Sequence, residues 1–430
     1  MQFEKLLQQS LLWRGFYFLS LLFVNIVVSR YLQADGSGYM YFITTIFSLI
    51  LLVASLNLET GFTFYASSQT IQSHKLAFLG IVWSLVTTLL VIPVLKAGFA
   101  YKGIAGEDTG RFIVYGILYI GGIILSTYFC VLYYAQKDFL TPNVCLGALN
   151  FLLVGLVLWE GKQQASTSSV TYSYFVFFTL QGIVLALLYF IQHRRIAAIL
   201  LPDWREMRLL LRYSLLALLT NVIFFFVYRV DYWFVYQYRT AAELGNYIQA
   251  SKLGQMLLVI PQVMASAVLP QTASNTLTEE VRRSLVIIFR LLIQFFLFLA
   301  VIVAVVGKWV FPLILGNTFN QVYIPFLILL PGVLSLSILS LLSAYFGGKG
   351  RMKINLAGAC IALLIAIAGD IMLVPLYGIP AAAFISTVAY TANMFFSLWH
   401  FKKSYAFTIK EMITFSRADW QWVIKVAFNK

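Results

Sequence analysis

The stretch 209–235 reads LLLRYSLLALLTNVIFFFVYRVDYWFV. It exceeds the ~20 mostly apolar residues that cross a bilayer, yet it carries Arg229 and Asp231 near its far end. An ionised group at bilayer depth costs ~2.5–3.5 kcal/mol even on the lenient insertion scale, so such residues face a cavity or a partner. Arg229 and Asp231 are two apart, on nearly opposite sides of a helix, and do not pair with each other directly. Each needs a partner on another helix, or an unwound stretch.

The same apolar pattern repeats along the chain. It is 61% hydrophobic with a mean hydropathy of +0.86, far above the ~45–50% apolar share of ordinary globular domains. Candidate spans fall at 11–29, 40–63, 76–95, 112–134, 141–159, 171–191, 209–235, 244–270, 284–306, 322–346, 355–375 and 380–400. The connections 96–111, 192–208 and 307–321 are too short for a folded domain. The expected fold is therefore an all-α polytopic membrane protein of about twelve transmembrane helices. No cleaved signal is expected, because the first apolar stretch lacks a small-x-small site and leads into further spans.

Charge sets the orientation. The net charge of +14 invites a nucleic-acid reading, but most of the 30 Lys and Arg fall in segments that a twelve-span chain places in the cytoplasm. That is the positive-inside asymmetry, with both termini cytoplasmic and no nucleic-acid partner. The clusters Arg194, Arg195, Arg205, Arg208 and Arg212, then Lys349, Arg351 and Lys353, then Lys402 and Lys403, read as anchors against anionic membrane lipids. Lys96, Lys102 and Arg111 go against the bias. Within the spans stand Arg14, Glu59, Lys252, Arg290 and Asp370 beside Arg229 and Asp231. Cations outnumber acids there, which points to a pathway for something negative.

Catalytic, metal and cofactor chemistry is not expected. Cys130, Cys145 and Cys360 lie in separate apolar spans without CxxC or nearby His, and read as small buried hydrophobes. His74, His193 and His400 stand at span ends without the company a metal site or a nucleophile–base pair requires.

The two halves share an order of short motifs. Ser10-Leu11-Leu12 is matched by Ser214-Leu215-Leu216, and Gly38-Tyr39 by Gly245 and Tyr247. Tyr134-Ala135-Gln136-Lys137 is matched by Phe346-Gly347-Gly348-Lys349. The offsets are 204, 207 and 212. Six spans per half is even, so both halves insert the same way. Such a parallel repeat is a transporter design with its site at the interface of the halves. The expected division is an N-terminal six-helix bundle at 1–196, a cytoplasmic linker at 197–208, a C-terminal six-helix bundle at 209–400 and a cytoplasmic tail at 401–430.

Helical spacing sorts the polar residues into stripes. Thr44, Ser48, Ser55 and Glu59 recur at steps of four, seven and four, on one face of the second span. Gln249, Lys252 and Gln255 recur at steps of three in the eighth. Arg283, Arg290 and Gln294 share a face of the ninth. Ser, Thr, Asn and Gln are ordinary interhelical glue, whereas Arg14, Lys252 and Arg290 are expected to face a cavity. Glu59, Asp231 and Asp370 are the candidates for coupling to an inward-moving proton or sodium ion.

Ser10-Leu11-Leu12-Trp13-Arg14-Gly15 and Gly36-Ser37-Gly38-Tyr39 open a longer ordered series. It continues through Arg229-Val230-Asp231-Tyr232, Leu244-Gly245-Asn246-Tyr247, Leu269-Pro270 and Leu315-Gly316-Asn317-Thr318-Phe319. It ends with Leu330-Pro331-Gly332, Gly348-Lys349-Gly350 and Val374-Pro375-Leu376-Tyr377-Gly378-Ile379-Pro380-Ala381-Ala382-Ala383. The series resembles the bacterial polysaccharide (O-antigen, Wzx-type) flippases of the multidrug/oligosaccharidyl-lipid/polysaccharide superfamily, to about residue 400. The resemblance implies two six-helix bundles around a central cavity in the bacterial cytoplasmic (inner) membrane. It implies export of undecaprenyl-diphosphate-linked oligosaccharide, for lipopolysaccharide or a related polysaccharide, alongside a polymerase and glycosyltransferases. It also implies cationic cavity residues facing the diphosphate, a role that Arg14, Arg229, Lys252 and Arg290 fit.

Three alternatives remain at this level. A multidrug exporter would share the fold but favour acidic cavity residues. A lipid II flippase usually carries two further C-terminal spans. A membrane polymerase or glycosyltransferase tends to need a sizeable outer loop, and the outer loops here offer little beyond Glu107 and Asp108. Reporter fusions test the topology: those after Glu107, Lys162 and Asn317 are expected to read outside, and those after Lys137, Arg205 and Lys349 inside. An outside reading after Arg205 would break both the span count and the repeat.

Overall fold

The computed structural model describes residues 2–102, 109–193, 200–262, 264–265 and 278–404. These residues are helical almost throughout. The first half holds α1 (Gln2–Ala54), α2 (Leu58–Ser67), α3 (Ser73–Lys102), α4 (Thr109–Ala135), α5 (Leu140–Lys162) and α6 (Thr167–Gln192). Then follow α7 (Trp204–Tyr238), α8 (Ala241–Met256), α9 (Thr278–Leu315), α10 (Tyr323–Gly348), α11 (Met352–Tyr377) and α12 (Ile379–Ser404). Among the described residues, 10 stretches are long and apolar enough to cross a membrane, the first being Leu12–Ala54. The chain is an all-α, multi-pass membrane protein.

Three spans differ in outline from the sequence reading. The first two expected spans share α1, whose two arms meet at Gln33, a non-helical residue with φ 58° and ψ −174°. The expected span 40–63 breaks before its end: Leu56 and Asn57 take φ 52° and 55° in the left-handed region. The Ser55 hydroxyl competes with the helix ladder there, accepting from the Asn57 N–H at 3.1 Å. Glu59 therefore stands on α2 and not on the Thr44–Ser48–Ser55 stripe. Of the expected span 244–270, the structure describes α8 and a short continuation, while 263 and 266–270 lie outside the described residues. With Glu243, Asn246, Gln249, Lys252 and Gln255 in its 16 residues, α8 is too polar and too short to cross a bilayer alone.

Contacts divide the chain into two compact units, Met1–Val222 and Ile223–Lys430. The boundary falls inside α7. The expected linker 197–208 overlaps the start of that helix at Trp204, while 194–199, the loop 103–108 and the tail beyond 404 lie outside the described residues. The early part of α7 packs on α2 and α3. Lys75 pairs with Glu206 at 2.9 Å, Tyr65 donates to the Leu209 carbonyl at 3.2 Å, and Asn221 donates to Asn57 at 2.9 Å.

The repeat is visible in which helices touch. In the first unit α2 and α3 each pack on α4, and α4 and α5 each pack on α6. In the second, α8 and α9 each pack on α10, and α10 and α11 each pack on α12. Each helix of one set corresponds to the helix six places on. One polar detail recurs too. Thr179 of α6 donates to the Leu118 carbonyl of α4 at 2.8 Å, and Thr387 of α12 donates to the Ile328 carbonyl of α10 at 2.7 Å. Four residues beyond each carbonyl stands a glycine, Gly122 or Gly332, against the backbone of the threonine's own helix. These pairs lie about as far apart in sequence as the motif offsets of 204 to 212.

Small residues let such helices approach closely where hydrocarbon supplies no drive of its own. A Cβ at Gly122 would fall on the Phe178–Thr179 peptide, and one at Gly182 would stand 2.7 Å from the Gly122 carbonyl oxygen. Backbone cannot swing aside as a side-chain tip does. Gly122→Ala is expected to cost ~1–3 kcal/mol by overpacking, read as a lower thermal midpoint in detergent. Gly155→Ala, with open space around it, should leave the midpoint unchanged.

Candidate functional site

The second unit sorts the charges of α7 onto two faces. Arg229 and Tyr232 are three residues apart and share a stripe. The Arg229 guanidinium donates to the Tyr232 hydroxyl at 2.9 Å and lies 5.2 Å from the centre of its ring. It also donates to the Gln255 side-chain carbonyl of α8 at 3.0 Å, and Gln255 in turn donates to Ser251 at 3.1 Å. Lys252 stands on the same helix, three residues before Gln255, close enough for its charge to act on that of Arg229. The start of α8 is fixed by a reciprocal cap between Thr240 and Glu243.

Asp231 points the other way and is only 2% exposed. The Tyr247 hydroxyl of α8 donates to Oδ2, as does the Ser386 hydroxyl of α12 at 3.0 Å, and the Tyr232 N–H donates to Oδ1 at 2.9 Å. A buried carboxylate is tolerated when donors surround it in this manner. Asp370 of α11 is fully buried, and neither of its oxygens has a hydrogen-bond partner among the described residues. The charges of Asp231 and Asp370 act on each other.

The remaining sequence candidates are not drawn into these groups. Arg14, in the first unit, lies 4.5 Å over the Tyr134 ring and 5.5 Å from that of Phe139, at the corner where α4 gives way to α5. Tyr134 is oriented by its bond to Asn143 at 3.0 Å. Arg14 thus rests on aromatic faces, a cation–π arrangement. Glu59 opens α2, where the helix N-terminus favours a negative charge. It lines an open pocket of about 280 Å³ with Thr63 and Tyr213. Arg290 is half-buried on α9, while the side chain of Arg283 lies outside the described residues.

The stripe expected in the second span resolves into packing. Thr44 and Ser48 donate back to carbonyls of their own helix, at 2.6 and 2.7 Å, and Ser48 meets the Tyr119 hydroxyl of α4 at 2.9 Å. Ser386 and Tyr390 do not emerge from the sequence reading. They are four apart on one face of α12, a helix that also carries Thr387, Thr391 and Asn393, so spacing alone does not mark them. Tyr247→Phe removes a donor from the buried Asp231 carboxylate. It is expected to destabilise the protein by ~1.5–3 kcal/mol, seen as a lower thermal midpoint, with Tyr213→Phe nearer the surface showing little change.

Residues 164–324 match the family described as polysaccharide biosynthesis protein. No curated protein matches the sequence. Among solved structures, the chain is similar to a mutant of the Vibrio cholerae MATE transporter VcmN, with 14% identity, a TM-score of 0.68 and coverage of 93% of this chain and 96% of that one. It is similar to an inward-facing multidrug resistance MATE family transporter of the MOP superfamily, with 15% identity, a TM-score of 0.71 and coverage of 90% and 94%. It is also similar to the lipid II flippase MurJ in an inward closed conformation, with 14% identity, a TM-score of 0.68 and coverage of 97% and 92%. The chain has the fold shared by these MOP-superfamily transporters, and its middle carries the match to the polysaccharide biosynthesis family.

Proposed function

We propose that the protein is a flippase that moves undecaprenyl-diphosphate-linked oligosaccharide from the cytoplasmic to the outer leaflet of a bacterial cytoplasmic membrane by alternating access. The observation that carries this reading is the grouping of Arg229, Lys252 and Gln255 on helices of a membrane protein. A diphosphate needs cations and donors of this kind, because neither its charge nor the glycan hydroxyls can enter hydrocarbon unpaired. Arg14 and Arg290 complete the proposed cationic set. The polysaccharide biosynthesis match and the shared fold with a lipid II flippase support a lipid-linked substrate. Glycosyltransferases that build the glycan and a polymerase that extends it are the partners this role calls for.

Export of the diphosphate runs with an inside-negative potential. One charge crossing the full potential is worth ~2.3 kcal/mol per 100 mV, so about two negative charges gain ~4–5 kcal/mol if the protein's cations stay behind. The Asp231–Asp370 pair supplies the place for an inward-moving proton or sodium ion to reset the empty carrier. Its separation from the Arg229 face lets the two ligands be held at once, and Glu59, alone at the head of α2, is the weaker coupling candidate.

Reconstituted vesicles test the proposal. Arg229→Ala and Lys252→Ala are expected to slow translocation of lipid-linked glycan by about tenfold or more, on the scale of a lost charge-assisted hydrogen bond. Replacing the exposed Lys402 and Lys403 should change it little. Asp370→Asn is expected to slow transport driven by an ion gradient more than transport driven by potential alone, with Glu59→Gln smaller in effect. Equal rates for the Arg229 and Lys402 variants would sink the cationic reading, and equal slowing under both driving forces would leave Asp370 without a coupling role.

A further inference from the structure

In the first unit, a pocket of about 510 Å³ opens between the turn joining α2 to α3, the α4–α5 corner and the last turns of α6. That size falls within the ~300–1,000 Å³ of small-molecule sites. Gln72, His74, Gln136, Tyr189, Phe190 and His193 line it, and none of its described lining residues is Asp, Glu, Lys or Arg.

Its polar groups are set in advance of any ligand. The Gln136 amide donates to the Tyr189 hydroxyl at 3.0 Å. The His193 ring stacks on Tyr189, centroids 4.3 Å apart and planes 25° from parallel, with Nδ1 2.8 Å from the Tyr189 carbonyl oxygen. A carbonyl only accepts, so Nδ1 carries a proton and donates it. The turn itself is fixed by Gln69 at φ 55° and by backbone bonds from Gln69 and Thr70 to Ala66 and Tyr65, at 3.2 and 3.1 Å.

We infer that this pocket receives uncharged sugar residues of the transported glycan. The inference rests on the proposed flippase reading. Sugar hydroxyls need donors and acceptors side by side, which amides and imidazoles provide, and the C–H faces of a pyranose lie against rings such as Tyr189 and Phe190. The described lining offers a phosphate no Arg or Lys side chain and a cation no carboxylate. The pocket also lies among the loops that the positive-inside count assigns to the cytoplasm, the side on which a lipid-linked glycan is built and first presented. A neutral sugar recognised there lets the protein distinguish a loaded lipid from a bare one before transport begins.

The test uses the full-length protein in nanodiscs and two probes: undecaprenyl diphosphate bearing a neutral trisaccharide, and bare undecaprenyl diphosphate. The wild type is expected to bind the glycosylated lipid about tenfold more tightly, the yield of one or two well-made hydrogen bonds. Gln72→Ala, on the exposed turn where folding is not at stake, and Phe190→Ala should each erase most of that preference. Both should leave affinity for the bare lipid unchanged, and Phe190→Tyr should keep the preference. An undiminished preference in the Ala variants, or none in the wild type, overturns the sugar pocket while leaving the flippase reading intact. A wild type that binds neither lipid overturns the flippase reading itself.

Discussion

Hydrocarbon gives a charge nothing to bond to, so each ionised group in these helices must be answered by protein or by cargo. Helix α7 meets that demand in two ways within a single turn. Asp231 is answered completely, by Tyr247, Ser386 and a backbone N–H. Arg229 is answered by neutral groups, Tyr232 and Gln255. The first arrangement closes around its charge. The second holds its charge through neutral hydrogen-bond partners.

The same demand explains the interhelical polar contacts. The hydroxyls of Thr179 and Thr387 serve carbonyls on neighbouring helices, and the glycines beside them bring the backbones within reach. These contacts hold helix to helix. Ser48 with Tyr119 belongs to the same class, which is why a polar stripe by itself did not locate a site.

Much of the fold was legible because its signal is compositional and long. Apolar runs of 20 or more residues and the ordered motif offsets need no knowledge of tertiary contacts. One misreading has a local cause. Leu56 and Asn57 break the helix by adopting left-handed backbone, and neither residue announces this in an otherwise apolar run. Continuing the stripe through them carried Glu59 onto the wrong helix. At the site, the two-residue spacing of Arg229 and Asp231 revealed that they face apart, since helical geometry alone decides it. Their partners did not follow, because Tyr247 on α8 and Ser386 on α12 meet Asp231 only through packing that no local pattern encodes.

The Thr179–Leu118 and Thr387–Ile328 bridges each span about sixty residues of chain, across one intervening helix. A nascent chain that has only just finished α6 already holds every group its own bridge needs, and waits on nothing further downstream. Each half can consolidate as it leaves the ribosome, domain by domain. The later half then closes by the same local move, so synthesis of this membrane protein repeats one short assembly step twice in place of one long search.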